Sequence, residues 1–212
     1  MRRCLFLFAC LWLGVAEAKQ TLFGYDGFYS RLKKSEDVKY SHVTLTFLLQ
    51  QQQSQQRCQL DSAAITTDLT STPLTLAANG ELLLPYDQLL NDNKAKIVLQ
   101  QPETALVCDL NFRLRNRLPV TKALSYAELH RLHDQFSQLL NELSGLGKYF
   151  LPQMTGVTLL FKQEAVLISQ PPMPQAVMCE QLRCQIDMTI LPKDAQLEFA
   201  DAPEYVVPWL AR

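Results

Sequence analysis

The chain has 212 residues, a formal net charge of −1 and 48% hydrophobic residues. This composition is typical of a globular protein with one large or two small cores, and it excludes a disordered or fibrous chain. The near-neutral charge provides no basic excess for binding nucleic acid or anionic lipid.

The first 18 residues have the pattern of a secretory signal peptide. Two arginines precede an apolar run at residues 5–15, and Ala16 and Ala18 place small residues at the −3 and −1 positions of a cleavage site. The run is shorter than the roughly 20 apolar residues of a transmembrane helix, and no later stretch approaches that length. We therefore predict cleavage after Ala18 and a periplasmic protein. A lipoprotein anchored at Cys10 is the alternative.

The first part of the mature chain reads as a short helix followed by strands. Residues 29–37 are charged and predict a short helix with a solvated face. The segments VTLTF at 43–47 and RCQLD at 57–61 are predicted strands. Apolar and polar residues alternate over 105–115, which places Cys108 on the apolar face of a further strand.

The second part begins with the clearest helix, after a module boundary near Pro119. Ser125 and Glu128 have the spacing of a capping box. Apolar side chains then recur at helical spacing from Leu129 to Leu143, a stripe that indicates packing and not a cofactor site. The glycines that follow are predicted to end this helix.

Four sequence blocks recur in the same order in the two parts of the chain. They are a Y-x-x-L segment (29–32 and 126–129), VTLTF or VTLLF (43–47 and 157–161), RCQLD or RCQID (57–61 and 183–187), and an apolar run close to proline (80–86 and 195–199). The shared order predicts a tandem duplication. The expected fold is α+β with two related modules, 19–116 and 117–212, each a mainly antiparallel β-sheet with a packed helix.

Four cysteines remain after removal of the signal peptide, and in an oxidising compartment they are predicted to form two disulfides. Sequence alone permits three pairings. Under the duplication, Cys58 and Cys184 are equivalent, so each finds its partner within its own module. This predicts the pairs Cys58–Cys108 and Cys179–Cys184, the second across a short turn.

Several of these motifs together resemble a known family. They are Y-S-x-L at 29–32, VTLTF, the lone Cys58, LLP at 83–85 and Cys108-Asp109 on an alternating strand. They are similar to a family of exported gammaproteobacterial proteins catalogued only as a domain of unknown function. The resemblance covers most of the mature chain and implies a Gram-negative envelope protein, but it carries no catalytic residue. The glutamine tract at 50–53 departs from the family pattern.

The sequence contains none of the common catalytic motifs. A G-x-S-x-G elbow, an H-E-x-x-H helix, a phosphate-binding P-loop and a G-x-G-x-x-G turn are all missing. His130 and His133 lie one turn apart on the predicted helix and are the candidate metal ligands, but the spacing indicates no third ligand. We assign no catalytic residue and no cofactor.

The leading functional hypothesis is a non-enzymatic periplasmic protein-binding or assembly module of the cell envelope, which binds its partner at an exposed strand edge. Tyr205 and Trp209 are the candidate partner contacts, unless the C-terminal segment only closes the second core. One alternative is an envelope hydrolase that acts on cell-wall or polysaccharide material through carboxylates that converge in three dimensions. Another is a small-ligand sensor, which an apolar pocket between the modules would favour.

Overall fold

The computed structural model describes residues 19–54, 56–150, 152–169 and 174–211. The predicted signal peptide, together with its Cys10 alternative, lies outside these residues. Within them, no helix combines the length and the apolar character needed to cross a membrane.

The described chain is built mostly from short strands. In chain order the elements of residues 19–116 are β1 (Lys19–Gly24), α1 (Tyr25–Ser35), β2 (Val43–Gln51), β3 (Ser62–Thr66), β4 (Ser71–Pro73), β5 (Thr75–Leu76), β6 (Glu81–Leu83), α2 (Gln88–Asp92), β7 (Lys96–Gln101) and β8 (Cys108–Asn116). They are followed by β9 (Ala123–Ser125), α3 (Tyr126–Ser144), β10 (Met154–Leu160), β11 (Val177–Glu180), β12 (Arg183–Asp187), β13 (Gln196–Glu198) and β14 (Tyr205–Leu210). Short 3-10 turns lie at Val38–Tyr40, Gly145–Phe150 and Pro174–Ala176.

The paired strands of the described chain are antiparallel. The sheets have the strand orders β1-β7-β3-β4, β5-β6-β2-β8 and β11-β12-β10-β14, and β9 pairs with β13. This confirms the predicted α+β fold with mainly antiparallel sheets. The strands β8 and β14 each stand at the end of a sheet.

The two longer helices begin in the same way. β1 precedes α1 and pairs with β7, as β9 precedes α3 and pairs with β13. The Tyr25 amide donates a hydrogen bond to the Ala95 carbonyl (2.9 Å), and the Tyr126 amide donates one to the Ala195 carbonyl (3.0 Å). The repeated sequence blocks align Tyr29 with Tyr126. In the structure, Tyr25 has the hydrogen bond that corresponds to that of Tyr126, so Tyr25 and not Tyr29 is its counterpart.

The strands that contain VTLTF and VTLLF are both central, since β2 lies between β6 and β8 while β10 lies between β12 and β14. The two RCQ-x-D segments differ. The second forms β12, but residues 58–61 form no strand and Arg57 makes only an isolated bridge to Gln50. The prediction of a strand at 57–61 is wrong, because β6 takes the place beside β2 that β12 has beside β10.

The capping box at the start of α3 is confirmed. The Ser125 hydroxyl accepts a hydrogen bond from the Glu128 amide (3.3 Å), and the Glu128 carboxylate accepts one from the Ser125 amide (2.8 Å). The hydrogen bonds from Ser125 lower the pKa of the Glu128 carboxyl. The helix ends before Gly145, whose φ of 54° suits glycine because it has no Cβ.

One hydrophobic core joins the two parts of the chain. α3 contacts β2 and β8 as well as β10 and β14, and its buried stripe consists of Leu129, Leu132, Phe136 and Leu139. α1 packs against β2, where the Phe28 and Phe47 ring centroids lie 4.9 Å apart. Buried side chains from both parts belong to a single cluster. The division at residues 116 and 117 remains a prediction.

Two disulfides link Cys58 to Cys108 and Cys179 to Cys184, as the equivalence of the two modules predicts. The first spans 50 residues and anchors the loop after β2 to the start of β8. The second joins directly opposite residues of the β11–β12 hairpin. Both bonds fit a protein exported to an oxidising compartment.

Candidate functional site

The two candidate metal ligands share one carboxylate. The Nδ1 atom of His130 lies 2.9 Å from Oδ2 of Asp134, and the Nδ1 atom of His133 lies 3.5 Å from Oδ1 of Asp134. Over the described ranges of the chain, no group of three or more histidine, cysteine, aspartate or glutamate side chains is placed to hold a metal ion. The interpretation of His130 and His133 as candidate metal ligands remains a prediction.

The two candidate partner contacts, Tyr205 and Trp209, lie in β14, and both already contact other residues of the protein. The Tyr205 hydroxyl accepts a hydrogen bond from Asn79 (2.9 Å), and the Arg115 guanidinium lies 5.3 Å from the centre of its ring. Trp209 is opposite Gly156, where an added Cβ would meet the Ile186 carbonyl oxygen at 1.9 Å and the Trp209 ring at 3.1 Å. A partner-binding role for Tyr205 and Trp209 remains a hypothesis.

An apolar groove lies where the two parts of the chain meet, and we call it the inter-sheet groove. It has a volume of about 490 Å³ and is lined from α1, β2, α3, β8 and β14, chiefly by Arg31, Phe112, Leu140, Leu143, Pro208 and Leu210. Phe112 is 51% exposed, although its ring also packs edge-on against the buried Phe47. The groove therefore presents a wall that is only partly covered by the protein itself.

The charged residues that line the inter-sheet groove are two arginines, Arg31 and Arg113. The Arg31 guanidinium lies 4.8 Å from the centre of the Phe112 ring and donates a hydrogen bond to the Gly27 carbonyl (2.7 Å). Burial lowers the pKa of Arg113, although the nearby Glu81 carboxylate partly opposes this shift. Neither arginine forms an ion pair with any residue that the structure describes. The positive charge of this site is thus uncompensated by a direct partner.

The floor of the inter-sheet groove is formed by two sheet edges. β8 and β14 contact each other, but no backbone hydrogen bond joins them in the described part of the chain. They are linked instead by the Val206 amide, which donates to the side-chain oxygen of Asn116 (2.7 Å). Backbone groups along such edges need partners from water or a ligand.

An ionic cluster beside the inter-sheet groove fastens α3 to the segment after α1. The Glu142 carboxylate accepts hydrogen bonds from the Lys39 ammonium (2.8 Å) and the Tyr40 hydroxyl (2.7 Å), and Lys34 donates to the Glu142 carbonyl (2.9 Å). The Lys39 hydrogen bond, followed by that from Tyr40, lowers the pKa of Glu142. Burial and the bond to Glu142 raise the pKa of Tyr40 to about 12.

This cluster predicts a pH-dependent contribution to stability. Because the folded-state pKa of Glu142 is depressed, its contribution is present above the unfolded-state pKa and is lost as the pH falls through the folded-state value. We expect E142Q to lower the free energy of unfolding at neutral pH by at most about 1 kcal/mol, since the pair is screened by solvent. Urea unfolding at pH 7 and pH 3 should show a smaller difference between wild type and E142Q at the lower pH. An undiminished difference at pH 3 would contradict the electrostatic origin.

A carboxylate pair suited to hydrolysis is not found at the inter-sheet groove, where none of the lining residues that the structure describes is acidic. Another cleft does contain two carboxylates, Glu36 and Glu81. Each of them is engaged by an arginine, since Arg117 lies 3.1 Å from Glu36 and Arg115 lies 2.9 Å from Glu81. Both carboxylates of this cleft therefore already contact an arginine side chain.

Exposed apolar side chains follow α3 in the 3-10 turn Gly145–Phe150. Leu146 is 85% exposed and Phe150 is 89% exposed. They come shortly after Ser144, which lines the inter-sheet groove. Neither Leu146 nor Phe150 is among the residues that line the groove, so this turn presents a separate exposed apolar surface.

The sequence analysis did not identify the residues of the inter-sheet groove as a site. It interpreted Arg31 as part of a solvated helix face and assigned the stripe that ends at Leu143 to packing. The signal was present in part, since this stripe continues by one turn beyond the last fully buried position, Leu139. Only the packing of α3 across both sheets shows that this turn borders β8 and β14.

Comparison with protein families gives one assignment. A family model described as "Protein of unknown function (DUF2987)" matches residues 17–161. The chain belongs to the DUF2987 family. The match contains α1, β2, β8 and α3, and therefore four of the five elements that line the inter-sheet groove, whereas β14 and the Cys179–Cys184 hairpin lie beyond it. No curated protein and no solved structure matched the chain.

Proposed function

We propose that this DUF2987 protein is a non-enzymatic binding module of the bacterial cell envelope, and that the inter-sheet groove is its binding site. The observation that carries the proposal is a partly open apolar groove between the two sheets, lined by two arginines that have no ion-pair partner among the described residues. Small-molecule sites are typically apolar clefts of about 300–1,000 Å³ with a few polar groups that orient the ligand. The inter-sheet groove fits this description and lacks the carboxylates that hydrolysis would need.

Export and duplication are part of the same proposal. The signal-peptide pattern and the two disulfides support a periplasmic location after cleavage following Ala18. The matched entries into α1 and α3, and the central positions of β2 and β10, support descent of modules 19–116 and 117–212 from one ancestral unit. On this view the binding site lies at the junction of the two modules, where β8 and β14 occupy corresponding places.

A second candidate function is the binding of a protein partner by strand addition. It is favoured by the facing edges of β8 and β14, whose backbone groups do not bond to each other within the described residues. An extended peptide could use these groups for main-chain hydrogen bonds. Such a partner would compete with any small ligand for the same groove.

Binding of the neutral apolar dye 1-N-phenylnaphthylamine tests the proposed function. The protein is exported with its own signal peptide, purified from the periplasm and titrated with dye. We expect saturable fluorescence enhancement, and we expect L143K to weaken dye binding at least about tenfold, because the apolar groove disfavours a buried ammonium group.

The matched control is L146K, which introduces the same charge at an 85% exposed position in the turn after α3. It should bind dye within about twofold of wild type. Circular dichroism melting establishes that both variants fold. The proposal is contradicted if wild type does not bind the dye, or if L146K weakens binding as much as L143K does.

A further inference from the structure

The inter-sheet groove combines an apolar wall with a cation that is already held in position. Phe112, Leu140 and Leu210 provide apolar lining, and the Arg31 guanidinium stacks on the exposed face of Phe112. One bond to the Gly27 carbonyl uses part of the donor capacity of Arg31 and leaves further N–H groups for a ligand. A ligand that fits must therefore bury an apolar body and present an acceptor at one end.

The charge balance of the lining selects an anionic acceptor. Arg31 and Arg113 line the groove, no acidic residue does so, and neither arginine has an ion-pair partner among the described residues. A guanidinium binds carboxylate and phosphate oxygens through two parallel hydrogen bonds, and a low-dielectric wall strengthens that interaction. A neutral apolar ligand would leave this charge unmatched.

The volume limits the apolar part. About 490 Å³ lies in the lower part of the range for small-molecule sites, roughly 300–1,000 Å³, and suits one aliphatic chain better than two. We infer that the groove binds a single-chain anionic amphiphile, with its acyl chain along Phe112, Leu140 and Leu210 and its carboxylate or phosphate at Arg31. This inference rests on the proposed function and specifies the ligand of the same site.

Displacement of 1-N-phenylnaphthylamine from the exported wild-type protein tests the ligand class. Three competitors share a twelve-carbon chain and are used below their micellar concentrations: dodecanoate, 1-lauroyl-lysophosphatidylglycerol and the neutral dodecanol. We expect at least one anionic competitor to displace the dye about tenfold more effectively than dodecanol, because one charge-assisted hydrogen-bonded contact raises the affinity by about that factor. A preference for dodecanoate indicates a free fatty acid, and a preference for the lysolipid indicates a phospholipid product.

The role of Arg31 is measured as the ratio of anionic to neutral affinity, which a general loss of packing would not change. R31Q should lower this ratio about tenfold. K33Q, which removes the charge of an exposed side chain two residues away on the same helix, should leave the ratio within about twofold of wild type. Retention of the full ratio in R31Q would overturn the placement of the head group.

The remaining outcomes separate the inference from the proposed function. Equal displacement by all three competitors would overturn the anionic head group and leave an apolar binding site. Dye binding that none of the competitors reverses would overturn the single-chain ligand and favour a protein partner in the groove. Failure of the dye to bind would overturn both.

Discussion

Replacing Cys58 and Cys108 with alanine should lower the free energy of unfolding by about 4 kcal/mol, whereas replacing Cys179 and Cys184 should lower it by about 2 kcal/mol. The reason is the length of chain that each bond closes, 50 residues in the first case and five in the second. Without the bond, the unfolded chain gains more conformational freedom from the longer loop. Urea unfolding of the two double variants and wild type, under identical oxidising conditions, gives the comparison.

The ranking of the two disulfides matters more than either value. A stable domain of this size has a free energy of unfolding of only about 5–15 kcal/mol. Loss of the disulfide that closes the longer loop should therefore remove a large share of it. Equal effects, or a larger effect from the β11–β12 hairpin, would show that loop length does not decide the contributions. The free thiols of single-cysteine variants would confuse this result, which is why both partners are replaced together.

Removal of Arg115 should destabilise the protein by about 3 kcal/mol, because it leaves a buried carboxylate unpaired. Its guanidinium lies 2.9 Å from Glu81, which is 7% exposed, and also donates a hydrogen bond to the Asn116 carbonyl (2.9 Å). We expect R115A to show the full effect in urea unfolding. The double variant E81L/R115M should recover part of the loss, since it removes both buried charges and keeps an apolar volume.

The matched control for Arg115 is an exposed ion pair. Lys122 and Glu198 lie 3.8 Å apart with more than half of each side chain exposed. K122A should change the free energy of unfolding by less than about 1 kcal/mol, as solvent screens such pairs. If R115A were no more harmful than K122A, the neighbouring Arg113 would have taken over the Glu81 carboxylate, and R113A/R115A should then show a loss larger than the sum of the single variants.

These two predictions and the inter-sheet groove concern the same seam of the molecule. Cys108 begins β8, Phe112 and Arg113 line the groove in its middle, and Arg115 and Asn116 connect its end to β14 through Tyr205 and Val206. Stabilising contacts are therefore concentrated at the two ends of β8. The middle of the strand keeps a partly exposed apolar surface, as a binding site requires.

The sequence by itself determined the features that depend on local spacing. The capping box at Ser125 and Glu128, the helix that ends before Gly145, the strand β8 and the strands at VTLTF and VTLLF all follow from residues within about one turn or one strand of each other. The disulfide pairing also followed, once equivalent positions were assigned. The same comparison misplaced the helix start, because Y-x-x-L occurs at 29–32, whereas the residue three positions after Tyr25 is Phe28, and it extended a strand into residues 57–61.

Only the tertiary structure decided how distant elements meet. The choice of β6 as the neighbour of β2 depends on long-range pairing, which no local pattern of RCQLD encodes. The inter-sheet groove depends on α3 packing against both sheets and on β8 facing β14, so its residues come from five separate parts of the chain. Arg31 shows the difference: in the sequence it is one cation among several, and in the fold it is the one stacked on Phe112, because only the packing of α1 against the β2–β8 sheet brings that ring beneath it.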